Sequence, residues 1–138
     1  MVACCAGLLA LGTPIAAGAA VRHHGPSHSA NVEERDFHIT APTRLPAGAV
    51  VLRVENKGPD DHELLVVRTG ARTLPLRSDG VTVDEDRLEP QLAGVLEAGQ
   101  PGSLRTLRLH LRPGHYEMFC NMSGHYLGGM HARFVVHR

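Results

Sequence analysis

Pro113-Gly-His-Tyr-Glu-Met-Phe-Cys-Asn-Met-Ser-Gly-His-Tyr-Leu-Gly-Gly-Met130 is the stretch from which the rest of the chain is read. Pro113-Gly114 is a turn signal, and His115 to Cys120 alternates so that Tyr116, Met118 and Cys120 share one face of a strand. A glycine-rich loop follows, and Ala132 to Val136 forms the last strand. The stretch carries a thiolate, an imidazole and a thioether, Cys120, His125 and Met130, at intervals of five residues. Those are three soft or borderline metal donors on one loop.

Working upstream, the dominant period is two. Leu107, Leu109 and Leu111 alternate with Arg108, His110 and Arg112. Val50, Leu52 and Val54 alternate with Val51, Arg53 and Glu55 after a Pro46-Ala-Gly48 turn, and Phe37 and Ile39 flank His38. Asn56-Lys-Gly-Pro-Asp-Asp61 is dense in turn formers and leads into His62-Glu-Leu-Leu-Val-Val67, a strand apolar enough to be central. Between Thr69 and Gly102 the pattern lapses. There Leu88, Leu92, Val95 and Leu96 fall at helical offsets behind Asp84-Glu-Asp86, with Pro90 in the first turn and Gly99 as the stop, which predicts a short helical insertion around residues 84–97. The fold class this predicts is all-β: an antiparallel β-sandwich or Greek-key barrel with function on the loops at one end.

A chain of 138 residues holds one such domain. Residues 2–21 carry no charge and include Ala17-Gly18-Ala19, a small-x-small cleavage pattern, so 1–21 read as a signal peptide or an N-terminal membrane anchor and the protein as exported. Residues 22–30, with His23, His24 and His28, read as a solvated linker, and 31–138 as the folded domain. Fourteen basic and fourteen acidic residues balance, which argues against a nucleic-acid partner. Cys4 and Cys5 lie in the apolar start, so Cys120 has no disulfide partner in the domain. Metal ligation accounts for a lone thiol in an exported protein.

Single-electron copper sites use two His and one Cys with a weak axial Met. Three of those donors lie on the C-terminal loop, and His62, at a strand entrance behind the 56–61 turn, is the candidate for the fourth. Taken singly, each has a plain alternative: His62 a turn residue, Cys120 a small buried hydrophobe, Met130 core. Met122 also lies in the loop but breaks the spacing, while His115, His131 and His137 fall in the outward register.

The segment Pro113–Met130, with Asn56-Lys-Gly-Pro-Asp-Asp-His-Glu-Leu64, resembles the cupredoxin (blue copper) family, most nearly its plastocyanin- and sulfocyanin-like exported bacterial members. The resemblance spans residues 31–138 and implies a type 1 site binding one copper ion through His62, Cys120, His125 and axial Met130. It further implies an electron carrier, not an enzyme, serving redox protein partners as a monomeric domain. His125, ringed by Tyr126 and Leu127, would be the electron port. Glu63 stands where much of the family has an Asn that ties the ligand loops together. A copper carrier for metalloenzyme assembly, or a small copper enzyme with an open site should Met130 not ligate, are the competing readings.

Overall fold

The computed structural model describes residues 27–138. The expected signal or anchor segment, and His23 and His24, lie outside the described residues. Nine strands form two facing sheets: β1 His28–Arg35, β2 His38–Thr40, β3 Arg44–Pro46, β4 Gly48–Asn56, β5 His62–Arg68, β6 Leu92–Gly99, β7 Leu104–Leu111, β8 Gly114–Phe119 and β9 His131–His137. One sheet has the order β2-β1-β4-β7 and the other β3-β9-β8-β5-β6. β1 begins inside the stretch read as linker: His28 pairs with Val50, and Ala30 is buried. Most pairings are antiparallel, as expected, but β1 runs parallel to β4 and β3 parallel to β9. The chain leaves the first sheet after β2, adds β3 to the edge of the second, and returns as β4 in the direction of β1.

The alternating residues fill the sandwich as their period requires. Val50, Leu52 and Val54 from β4 meet Leu107, Leu109 and Leu111 from β7, and across from them Leu64, Val66, Tyr116, Met118 and Phe134 complete the main core. At one end of this core Glu34 points inward against Arg105; burial pushes its carboxyl up to about 7, opposed by the guanidinium.

The helical insertion is shorter than predicted. One turn of helix, α1 Glu85–Leu88, is capped by Asp84 and passes into a 3-10 turn at Glu89–Gln91; Leu92 to Gly99 is then strand β6, on the edge of β5. Pro90 lacks an N–H and clashes with the carbonyl four residues back, so the helix cannot continue. The apolar offsets of Leu92, Val95 and Leu96 are met instead by a bulged strand that satisfies the free backbone groups of β5.

β5 is buried on both faces because the segment 69–91 covers the outer one. Leu65 and Val67 point away from the main core and pack with Leu74, Val83, Leu88, Phe119 and Tyr126 in a second apolar cluster. Burying each such side chain is worth about 1.5–3 kcal/mol. This second cluster includes Phe119 and Tyr126, on either side of Cys120 and His125 in the loop that carries the candidate metal donors.

Candidate metal centre

The 56–61 turn sets the position of His62. Buried Asn56 accepts from the N–H of Gly58 and donates from Nδ2 to the carbonyls of Asp60 and Gly99, both at 2.8 Å. This staples the turn to the end of β6 and delivers His62 fully buried at the start of β5. A Cβ on Gly58 would stand 2.7 Å from His62 Nε2 and 2.8 Å from Asp36 Oδ1, so no larger residue fits there without displacing the ring.

The C-terminal loop is held by its own backbone. Cys120 N donates to Met130 O at 3.1 Å and Met130 N to His125 O at 2.9 Å; His125 N donates to Met122 O and Gly128 N to Gly124 O, each at 2.9 Å. Gly124 and Gly129 turn it with φ of +79° and +107°, values at which a side chain would be strained. The result brings one donor atom each of His62, Cys120 and His125 within 4.8 Å of one another, a group that can hold a metal ion. Cys120 Sγ is 3.6 Å from His125 Nδ1, and the two imidazole rings lie 5.2 Å apart. Met130 is fully buried in the same apolar cluster as Cys120, its backbone paired to that residue.

The donor set fits a soft, redox-active ion. Burial pushes the Cys120 thiol up to about 11, while the N–H groups of Glu63 and Met122, both directed at the sulfur, act the other way. They are placed to stabilise a thiolate once a cation compensates the desolvation. His62 Nδ1 is buried without a hydrogen-bond partner, and a metal would satisfy it. Burial lowers the pKa of His62, the neighbouring His125 lowers it further, and Asp36 opposes both. A neutral ring is the ligating form.

Several functional neighbours were not legible as such. Asp36 Oδ1 lies 3.1 Å from His62 Nε2; the contact is off the N–H axis, so it is a charge contact outside hydrogen-bond geometry. Phe37, read as a strand residue, has φ +60°, a conformation costing on the order of 1–3 kcal/mol in a bulky residue. Its half-exposed ring stands edge-on to His125 at 5.4 Å, in the space left by Gly128. Phe37 therefore flanks His125 and Leu127 is exposed two residues on, whereas Tyr126, expected beside it at the surface, is buried with its hydroxyl accepting from Leu74 N at 3.0 Å. His131 is exposed as expected, but its ring lies tilted against Tyr126 at 5.0 Å and its Nδ1 stands 3.1 Å from buried Glu117.

Glu63 lies between the two candidate donor segments. Its backbone N–H favours the Cys120 thiolate, and its own carboxyl, raised in pKa chiefly by burial, is lowered in part by the Asn121 backbone N–H. The Asn121 side chain in turn accepts from Val83 N at 2.6 Å and donates to Val83 O at 3.1 Å and Glu85 Oε1 at 2.7 Å.

No family model and no curated protein matches the sequence. Solved structures do. Dithionite-reduced auracyanin from the photosynthetic bacterium Roseiflexus castenholzii superposes with TM-score 0.64 at 19% identity, over 83% of this chain and 100% of that one. Auracyanin A, a "blue" copper protein from the green thermophilic photosynthetic bacterium Chloroflexus aurantiacus, gives 0.63 at 16% identity over 81% and 100%. Rusticyanin from Thiobacillus ferrooxidans gives 0.63 at 15% identity over 82% and 79%. At such identities the likeness speaks for the architecture: the chain has the cupredoxin fold.

Proposed function

We propose that the protein is an electron carrier whose His62, Cys120, His125 and Met130 hold one copper ion as a type 1 site. The observation that carries this reading is the convergence of two imidazoles and a buried, unpaired thiol within 4.8 Å at one end of a cupredoxin sandwich. When bound, copper supplies one-electron cycling between Cu(II) and Cu(I), and a mixed set of imidazole and sulfur donors suits both states. The chain's part is to keep those donors still. Asn56 fixes the turn before His62, the Cys120–Met130 backbone pair closes the loop, and the N–H groups of Glu63 and Met122 stabilise the thiolate. His125, half-buried beside Phe37, is the exit toward an exported redox protein. The test is the visible spectrum of the copper-loaded protein with its stoichiometry. One copper per chain with an intense thiolate-to-copper band is expected; a colourless, copper-loaded protein overturns the reading.

Asp36 adds a feature that affects the potential. A carboxylate against the outer nitrogen of a ligating imidazole raises that ligand's basicity and favours the higher oxidation state. Asp36→Asn, which keeps the shape and removes the charge, is expected to raise the reduction potential. The expected shift in the Cu(II)/Cu(I) balance is about tenfold, or about 59 mV for one electron, read by redox titration. An unchanged potential would show that Asp36 is structural only.

A further inference from the structure

The two ends of the sandwich differ in charge: carboxylates and cations are mixed at the donor end, where Lys57 pairs with Glu33 and Glu55 and Arg105 with Glu34, while arginines and histidines gather at the other. The strand registers place the ends of β1, β4, β5, β6 and β8 that carry or adjoin the donors at one pole, with Glu33, Glu55, Asp60, Asp61 and Glu97 around it. At the other pole lie exposed Arg44, Arg68, Arg112 and Arg138, joined by His110 and His115. A groove of about 580 Å³ there is lined by Arg68, His110, Arg112 and His115 and has no carboxylate among its lining residues. Exposed Glu89 precedes Pro90 and Gln91 of the groove wall, and buried Glu117 follows Tyr116.

The chain also enters the domain at this basic pole. β1 is parallel to β4 with His28 beside Val50, near the β4 end that faces Leu111, while Glu34 beside Asn56 reaches the donor end. The described chain therefore begins at the basic pole, and the 26 residues before it in the sequence include the uncharged run 2–21.

We infer that the pole formed by Arg44, Arg68, Arg112 and Arg138 rests on an anionic lipid surface, with the donor end turned away from it. The occupant is a bilayer because two features coincide: a cluster of exposed arginines, and a described chain that begins at the same pole after a sequence containing the uncharged run 2–21. An arginine near an anionic bilayer contributes attraction that screening confines to short range, so several exposed arginines at one end of the domain are the effective arrangement. This assignment is independent of which metal the donor cluster holds.

The test uses the full chain and vesicles of phosphatidylcholine with or without phosphatidylglycerol. The unchanged protein is expected to bind the anionic vesicles more tightly, and added salt to remove the excess. Arg44→Gln/Arg112→Gln/Arg138→Gln, three exposed side chains without hydrogen-bond partners in the described structure, should lower binding to anionic vesicles by about fivefold per arginine, about a hundredfold together. Arg53→Gln/Arg77→Gln/Arg87→Gln removes the same charge from elsewhere and should cost less than about threefold. Equal binding of the parent to both vesicles overturns the inference and leaves the pole to an acidic protein or a soluble anion. Equal loss in the two triple variants also overturns it, as the signature of net charge alone.

Discussion

Cys120→Ser is expected to give a folded protein that no longer shows the thiolate-to-copper band at all. The visible intensity of such a centre depends on a covalent sulfur-to-copper bond, and the described residues contain no other cysteine. Serine is nearly isosteric, and its hydroxyl can accept from the N–H groups of Glu63 and Met122 that now face the sulfur. The fold should therefore change by no more than about 1 kcal/mol, checked by circular dichroism and a denaturation midpoint. Copper binding should suffer far more. A hydroxyl at this site is neutral and hard where the thiolate was charged and soft, so Cu(I) affinity should fall by more than the 10–100-fold typical of losing an outer-sphere partner. A variant that keeps its colour would place the copper elsewhere and would end the case for this centre.

What made the centre legible was spacing on one continuous segment. Cys120, His125 and Met130 announce themselves because five-residue intervals on a glycine-rich loop serve no strand. His62 could be nominated because a dense turn precedes it and an apolar strand follows. The sandwich was legible for the same kind of reason: Leu107, Leu109 and Leu111, or Val50, Leu52 and Val54, can bury one face only as strands. The misreadings lie where a local pattern and a distant partner disagree. Leu92, Val95 and Leu96 fit a helix by offset, and only the unsatisfied edge of β5 makes them a strand. Phe37 looks like a strand residue and Asp36 carries no signal; both are set by a turn against His125 and His62, more than 20 residues away in the chain. Tyr126 sits beside a proposed ligand in sequence, yet a buried hydroxyl needs a partner, and Leu74 N lies on the inner side. No period or motif in residues 69–91 signals that they cover the outer face of β5.

That cover makes Asn121→Ala the second large effect. Asn121 follows the proposed thiolate ligand, and its side chain makes three of the hydrogen bonds that join the donor loop to the 69–91 segment, beside that of Tyr126 with Leu74 N. Alanine removes three hydrogen bonds and leaves the N–H and carbonyl of buried Val83 unpaired, which costs more than the bonds were worth net. The expected loss is about 3 kcal/mol, within the range assigned to breaking a buried polar network. The damage should be uneven: the main core keeps its contacts, while the smaller cluster of Leu74, Val83, Leu88 and Tyr126 loosens. Amide exchange should then rise across 74–88 before it rises in β4 or β7. The Asn121 backbone N–H also favours the Glu63 carboxylate, and the Glu63 N–H favours the thiolate, so freeing this end of the loop is expected to shift the energy of the visible band. A midpoint lowered by less than about 1 kcal/mol, or exchange that rises evenly over the whole domain, would mean that the 69–91 segment lies on the sandwich without bracing the donor loop.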